Sequence, residues 1–270
     1  MSSKRILHVT SELTPYSSEN PVSARVYALA KQMFSRGNDV RIFMPRFGII
    51  NERRYQLHEV IRLSGINLII SDLDQPLVIK VASLPGERMQ VYFIENQEYF
   101  KRKATYQDEN NQWFADNDER AVFFAKGVLE TIKKLNWVPD VIHIHGWMAS
   151  FLPIYLKNNY SDDAFFSDIK IVTSVYNQGE GGIFSENIKK ILAFDNIDPE
   201  KLVYLSENNS YLNLVKQAMK ESDAVIKGEE TLLDELEYFL DSLESEKYDF
   251  TQNENVAEVY QTNNEVNIEN

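Results

Sequence analysis

The residues best placed to do chemistry run from Asp140 to Met148, where the apolar stretch Val141 to Ile144 ends in His145, Gly146 and Trp147. Active-site groups gather where a buried parallel strand gives way to a loop at its carboxyl end. His143 and His145 alternate along this strand and so share one face, where two imidazoles can bind a metal or donate to a phosphate or sugar. No third ligand stands nearby in sequence, so no metal is expected; one histidine reads as structural and His145 as facing the site. Trp147 is either a platform for a sugar ring or part of the core.

Three further stretches carry polar groups in telling places. Gln178 to Gly182 is a glycine-rich loop after a strand ending at Val175. Such loops can cradle phosphate through backbone N–H groups, but this one matches no nucleotide fingerprint, and Glu180 would repel an anion. A plain flexible loop is expected. Ser11 to Asn20 leads from the first strand into a helix N-terminus and has neither glycine nor a cation. Glu19 sets negative charge where a phosphate would sit, so a solvated entry loop is expected. Asn117-Asp118-Glu119-Arg120 opens a helix with its acids at the end the dipole prefers, which leaves Arg120 unexplained.

The elements that must position these groups follow from periodicity. Ile6 to Val9 reads as a buried strand. Pro21 to Arg36 has helical spacing, with Val22, Val26, Leu29, Ala30 and Met33 on one face, Pro21 suited to the first turn and Gly37 to the stop. Val40 to Met44 is the next strand, and the strand–helix–strand unit begins a parallel sheet. Between 57 and 96, short strands at Leu68 to Ile70, Leu77 to Leu84 and Val91 to Ile94 are separated by Asp72 to Pro76 and by Pro85-Gly86. Asp118 to Leu135 and Leu212 to Ser222 are helical, as is a segment near Ala149 to Lys157; Ile169 to Val175 and Ala224 to Ile226 are strands. Thr231 to Leu243 carries one leucine-rich stripe, an amphipathic helix expected to close back over its own sheet.

Composition narrows the class. With 43% hydrophobic residues among 270, the chain can bury a substantial core. Having no cysteine, it can form no disulfide, thiolate metal site or cysteine nucleophile, and it suits a reducing, cytoplasmic setting. No run approaches the roughly 20 apolar residues that span a bilayer, so no membrane role is expected. The net charge of -13 is concentrated: Glu229 to Asn270 holds 13 acids and one base, and the rest is nearly neutral, with no basic stripe for nucleic acid. Residues 1–245 read as one domain and 246–270 as an acidic, disordered tail.

Beyond these patterns, His8-Val9-Thr10-Ser11-Glu12 with Pro15-Tyr16, Tyr92 to Phe100, Asp116 to Phe124 and Trp137 to His143 together resemble the bacterial glycogen synthases and plant starch synthases. The resemblance runs from Lys4 to about Leu236. It implies a GT-B fold, here its N-terminal, acceptor-side half: an α/β domain with a Rossmann-like parallel sheet and flanking helices. It also implies a retaining glucosyltransferase using ADP-glucose or UDP-glucose.

The departures from the family pattern fall on its functional positions. The family's Lys-Thr-Gly-Gly-Leu, whose lysine holds the sugar nucleotide, corresponds to Ser18, Glu19, Asn20, Pro21 and Val22. Its His-Asp-Trp-His corresponds to His145, Gly146, Trp147 and Met148, and a thioether cannot donate a hydrogen bond to glucose. Its His-Asn becomes Tyr176-Asn177. The second domain, which in the family binds the donor phosphates, has no counterpart in the 27 residues after Leu243. The expectation is a catalytically inactive relative with no cofactor, binding α-glucan or nucleotide-sugar around His145, Trp147, Tyr176 and Asn177, or acting as a regulatory module. The alternatives are a subunit whose partner protein docks at the open cleft face, and a protein-interaction scaffold.

Overall fold

A computed structural model describes residues 3–249 and 256–260. Strand β1 (Arg5–Thr10) leads through helix α1 (Pro21–Ser35) to β2 (Asp39–Pro45), as the spacing predicts. Asn20 and Ser23 form a reciprocal capping box at the start of α1, Pro21 occupies its first turn, and Gly37 follows with φ of 88°. Short α2 (Glu52–Tyr55) and β3 (His58–Glu59) precede β4 (Ile66–Ile70), β5 (Leu73–Ser83) and β6 (Gln90–Glu95). Then come α3 (Gln97–Phe100), α4 (Asn117–Leu135), β7 (Val141–His145), a 3-10 turn at Trp147–Ala149, α5 (Phe151–Asn158) and β8 (Lys170–Val175). The remainder is α6 (Asn187–Phe194), α7 (Val203–Glu207), α8 (Tyr211–Lys220), β9 (Ala224–Lys227), α9 (Asp234–Ser242), β10 (Glu246–Tyr248) and α10 (Val256–Val259).

One sheet runs in the order β10-β9-β8-β7-β1-β2-β6-β5-β3, with β4 paired to β5. All neighbours from β10 to β6 are parallel, and β5 pairs antiparallel with β6, β3 and β4. The unit β1-α1-β2 steps one way along the sheet and β7-α5-β8 the other. Right-handed crossovers therefore put α1 and α5 on opposite faces. Covered on both sides, β7 and β8 are buried at every position, which is why they read as short apolar runs, with the histidines of β7 and the hydroxyls of β8 hydrogen-bonded inside.

Two expectations change at the edges. The sequence places a break at Asp72 to Pro76, yet β5 already begins at Leu73 and the turn sits at Ser71, whose φ is 59°. Pro76 lies opposite Asn67 of β4, in the stretch of β5 that among the described residues pairs with β4 alone, so its other side is an edge where a missing N–H is tolerated. The second change concerns the segment read as a disordered tail. Glu246–Tyr248 extends the sheet beside β9, with Glu246 accepting from Lys170 Nζ at 3.0 Å. Farther along, Val256, Val259 and Tyr260 are buried. Local composition is polar here, but the open edge of β9 and the apolar face beneath α10 supply partners that composition does not show. Residues 250–255 and 261–270 of that segment lie outside the described residues. The leucine stripe does turn inward, over a shorter span than expected: Leu236 and Leu240 of α9 are buried, and α9 packs on α8.

Candidate functional site

The sheet reverses its direction of growth around β1, between β2 and β7, and ligands of open α/β sheets bind at the carboxyl ends beside such a reversal. Parallel pairing sets His8 opposite His143 and Thr10 opposite His145, so alternation puts His8, His143 and His145 on one face. All three imidazoles are fully buried. His8 Nδ1 lies 3.0 Å from His145 Nε2, and His145 Nδ1 lies 2.9 Å from the Tyr176 hydroxyl. His143 meets Ser174 Oγ at 2.7 Å through Nε2 and the Tyr260 hydroxyl at 2.5 Å through Nδ1. His8 Nε2 has no hydrogen-bond partner. Burial drives the His8 pKa down to about 3, and burial, then the neighbouring histidines and Arg25, hold His143 and His145 well below the ordinary value. All three are neutral at neutral pH.

His145 thus does not face an open site but sits inside a polar cluster with Tyr176. The third member, His8, escapes a reading of local spacing because it belongs to another strand. The signal that could have found it is the adjacency of β1 and β7 in this topology, with their histidines in phase.

The loop after β1 turns inward rather than standing in solvent. Ser11, Glu12 and Leu13 are buried, and only around Ser18 and Glu19 is the loop exposed. The Glu12 carboxylate accepts hydrogen bonds from the Tyr106 hydroxyl and Gln178 Nε2, both at 2.9 Å, and from Asn20 Nδ2. Gln178 belongs to the glycine-rich segment, which is therefore tied down at this point rather than free. Glycines on both loops serve close approach: a Cβ on Gly146, after β7 and with φ of 79°, would lie 2.5 Å from Gln178 Oε1. A Cβ on Gly182 would run into the Tyr211 ring.

Trp147 is core. It is 1% exposed and stacks on Tyr211 with centroids 4.1 Å apart, with Tyr106 at 5.1 Å and Phe184 at 6.0 Å. Met148 is also fully buried. Trp113 and Tyr106 are half-buried; Trp113 stands edge-on to Tyr211 at 5.0 Å, from a loop whose bearing on this end of the sheet no local pattern announces.

Asp116 to Arg120 proves to be a structural brace. Asp116 makes no side-chain cap and instead pairs with Arg102. Asn117 Nδ2 donates to the Tyr106 carbonyl at 3.0 Å and to the Tyr211 hydroxyl at 2.8 Å. Arg120, fully buried, donates to the carbonyls of Tyr99 and Thr105 and to Asn117 Oδ1. The motif thereby fixes the loop that carries Tyr106 and Trp113.

Of the four residues singled out for binding, His145, Trp147 and Tyr176 are buried and Asn177 alone is exposed. Asn177 is engaged all the same: its Nδ2 donates to the Thr231 carbonyl at 2.8 Å and its Oδ1 accepts from the Leu233 N–H at 2.7 Å. It holds the approach to α9. Asn177→Ala is expected to lower unfolding free energy by about 1–2 kcal/mol, seen in urea as a lower midpoint with unchanged slope. An unchanged midpoint would remove this role.

Comparison with known proteins agrees with the geometry. The family described as starch synthase catalytic domain matches residues 5–245. A glycogen synthase from Chlorobium limicola is 33% identical over 236 residues, covering 86% of this chain and 47% of that protein. One from Chlorobium chlorochromatii is 38% identical over 196 residues, covering 67% and 37%. The catalytic domain of starch synthase IV from Arabidopsis thaliana, bound to ADP and acarbose, superposes with a TM-score of 0.65 at 20% identity, over 83% of this chain and 45% of that one. The chain spans about half the length, or less, of the curated relatives it matches.

Proposed function

The chain belongs to the starch synthase catalytic-domain family, and from that premise we propose that it is a glycogen- and starch-synthase-like domain that binds α-glucan without itself transferring glucose. The observation that carries this reading is Met148. Its thioether is fully buried at the position where the resemblance expects a histidine that contacts the donor glucose, and it can donate no hydrogen bond there. Two acids reinforce it. Glu12 is committed to Tyr106, Gln178 and Asn20, and exposed Glu19 stands next to Ser18, the position where the resemblance expects the lysine of the sugar nucleotide. Electrostatic stabilisation of a leaving diphosphate is thereby replaced by repulsion.

Binding of glucan draws support from the half-buried ring of Trp113 at the carboxyl ends of the strands, since aromatic faces suit the apolar faces of sugars. That a related structure holds ADP and acarbose makes a maltooligosaccharide the natural probe. His145, Tyr176 and Trp147 then act as the buried support of the site wall, and Asn177 as its rim.

A second reading, a subunit that contributes the acceptor side while a partner supplies the donor side, is favoured by one observation. Ile49 and Ile183, 42% and 67% exposed, lie on the loops after β2 and β8 at the same end of the sheet.

The test is calorimetric titration of the chain with maltohexaose and with ADP-glucose, alongside an assay of glucosyl transfer. Saturable glucan binding, weakened at least about tenfold in Trp113→Ala and without transfer, is the expected result; tenfold is about 1.4 kcal/mol. Transfer by the chain alone would overturn the inactive reading. Absence of glucan binding at millimolar concentration would overturn the binding reading.

A further inference from the structure

We propose that His8, His143, His145 and the Tyr260 hydroxyl form a buried site for one divalent transition-metal ion of the zinc class, which fastens the C-terminal segment to the sheet. The proposal is independent of glucan binding.

Its first support is proximity. One ligand atom from each histidine falls within 4.8 Å of the others, and the ring centroids lie 4.0, 5.3 and 5.4 Å apart. Three imidazoles on one tetrahedral ion, each at about 2.0–2.1 Å, have ring centres roughly 5 Å apart. The two separations from His8 already meet that requirement, and the His143 and His145 rings meet it by moving apart by about 1 Å.

The second support is the outer hydrogen bonding. Histidine ligands of metals donate their far N–H to a fixed acceptor, which sets the tautomer and aims the other nitrogen inward. His145 Nδ1 faces the Tyr176 hydroxyl and His143 Nε2 faces Ser174 Oγ. The inward nitrogens are then His145 Nε2, which lies 3.0 Å from His8, and His143 Nδ1, which lies 2.5 Å from the Tyr260 oxygen. Two nitrogens at that separation are either an N–H···N bond or two ligands of one centre.

The third support is enclosure. All three imidazoles are completely buried, so an ion bound there is held away from solvent, with His8 contributing Nδ1 while its Nε2 has no hydrogen-bond partner. Imidazole and phenolate oxygen are ligands suited to zinc, cobalt and nickel ions, and burial keeps the imidazoles free of competing protons. On binding, Tyr260 gives its proton to solvent and forms a metal–oxygen bond. The resulting phenolate offsets part of the ion's charge; burial works against its formation, and the ion and the nearby Arg25 favour it.

Tyr260 is also what closes the site: it is 2% exposed, and Lys4 Nζ donates to its carbonyl at 2.8 Å. The ion would thus bridge β1, β7 and the end of α10, a connection across more than a hundred residues of sequence.

The test uses the full chain, stripped by a chelator and titrated with Co2+. One equivalent per chain with the visible absorption of a tetrahedral site, displaced by Zn2+ with a rise in Tm, is expected. His143→Gln should abolish the band. To separate loss of the ion from loss of the fold, Tyr260→Phe provides the second arm: it removes one oxygen, and it should weaken Co2+ at least about tenfold and abolish proton release. The exposed fourth histidine, His58, is the control, and His58→Ala should leave the titration unchanged. A stripped, folded chain that shows no such band and no Tm response to Zn2+ overturns the proposal and leaves a hydrogen-bonded cluster.

Discussion

Metal-free protein moved from pH 7.5 to pH 5 is expected to lose about 2 kcal/mol of unfolding free energy from His8 alone, and up to roughly three times that from the histidine cluster. The sign follows from which state takes up protons. His8 has its folded pKa depressed from 6.5 to about 3 by burial, and His143 and His145 are shifted the same way. Above pH 6.5 both folded and unfolded histidines are neutral and the full stability is present. As the pH falls through 6.5 the unfolded chain binds protons that the folded one refuses, so stability declines steadily toward the folded pKa.

The groups facing the cluster do not reverse this. Arg25 comes from α1, Ser174 from β8, Tyr176 from the end of β8 and Tyr260 from the C-terminal segment, and of these only Arg25 is charged at neutral pH, with a sign that opposes protonation. Urea unfolding at half-unit steps between pH 7.5 and 5 reads the slope directly. His8→Gln should reduce it by about a third if the three histidines contribute equally. A flat profile across this window would mean that the cluster opens and takes up protons without unfolding.

Arg120→Met is expected to cost on the order of 3–5 kcal/mol, the range seen when a buried, fully bonded charged group is removed. The guanidinium donates to the Tyr99 carbonyl at 2.8 Å, the Thr105 carbonyl at 2.7 Å and Asn117 Oδ1 at 2.5 Å. It lies among the rings of Phe47, Phe100 and Phe114, 5.2 to 5.7 Å from their centroids. Burial lowers its pKa to about 10, so it remains charged at neutral pH. Methionine fills much of the volume but strands three acceptors, each costing about 1–3 kcal/mol, partly offset because a buried charge disappears with them.

Lysine should rescue little, because a single ammonium cannot span three acceptors set out for a planar fork. The loss should be local before it is global. The loop from 101 to 116 carries Tyr106 and Trp113, and its amide protons should exchange faster in Arg120→Met under conditions where the sheet stays protected. Equal protection in that loop, with stability unchanged, would show that Arg120 is not its brace. Glucan affinity should fall in parallel if Trp113 forms the platform.

Much of the frame was legible in the sequence. The short, mostly apolar runs of β1, β2, β7 and β8, the helical spacing between Pro21 and Gly37, and the long amphipathic α4 follow from burial and periodicity that neighbouring residues reveal. The family and fold class were legible too, because Asp116 to Phe124 and Trp137 to His143 keep their residue types and spacing. The reading of Met148 at a position where the resemblance expects a histidine rests on residue identity alone.

Other features were decided only by the tertiary structure, because they depend on what lies across a strand or under a loop. His8 joins His143 and His145 only once β1 and β7 are paired in phase. Trp147 becomes core rather than a sugar platform because Tyr211, from α8, covers it. Glu12, read as part of a solvated loop, is enclosed by Tyr106 and Gln178 from two distant loops. Tyr260, in a stretch whose composition predicts disorder, is buried against His143. Periodicity records which face of an element is turned inward, whereas the identity of the neighbour on that face is settled by the order of strands in the sheet and by packing between residues far apart in the chain.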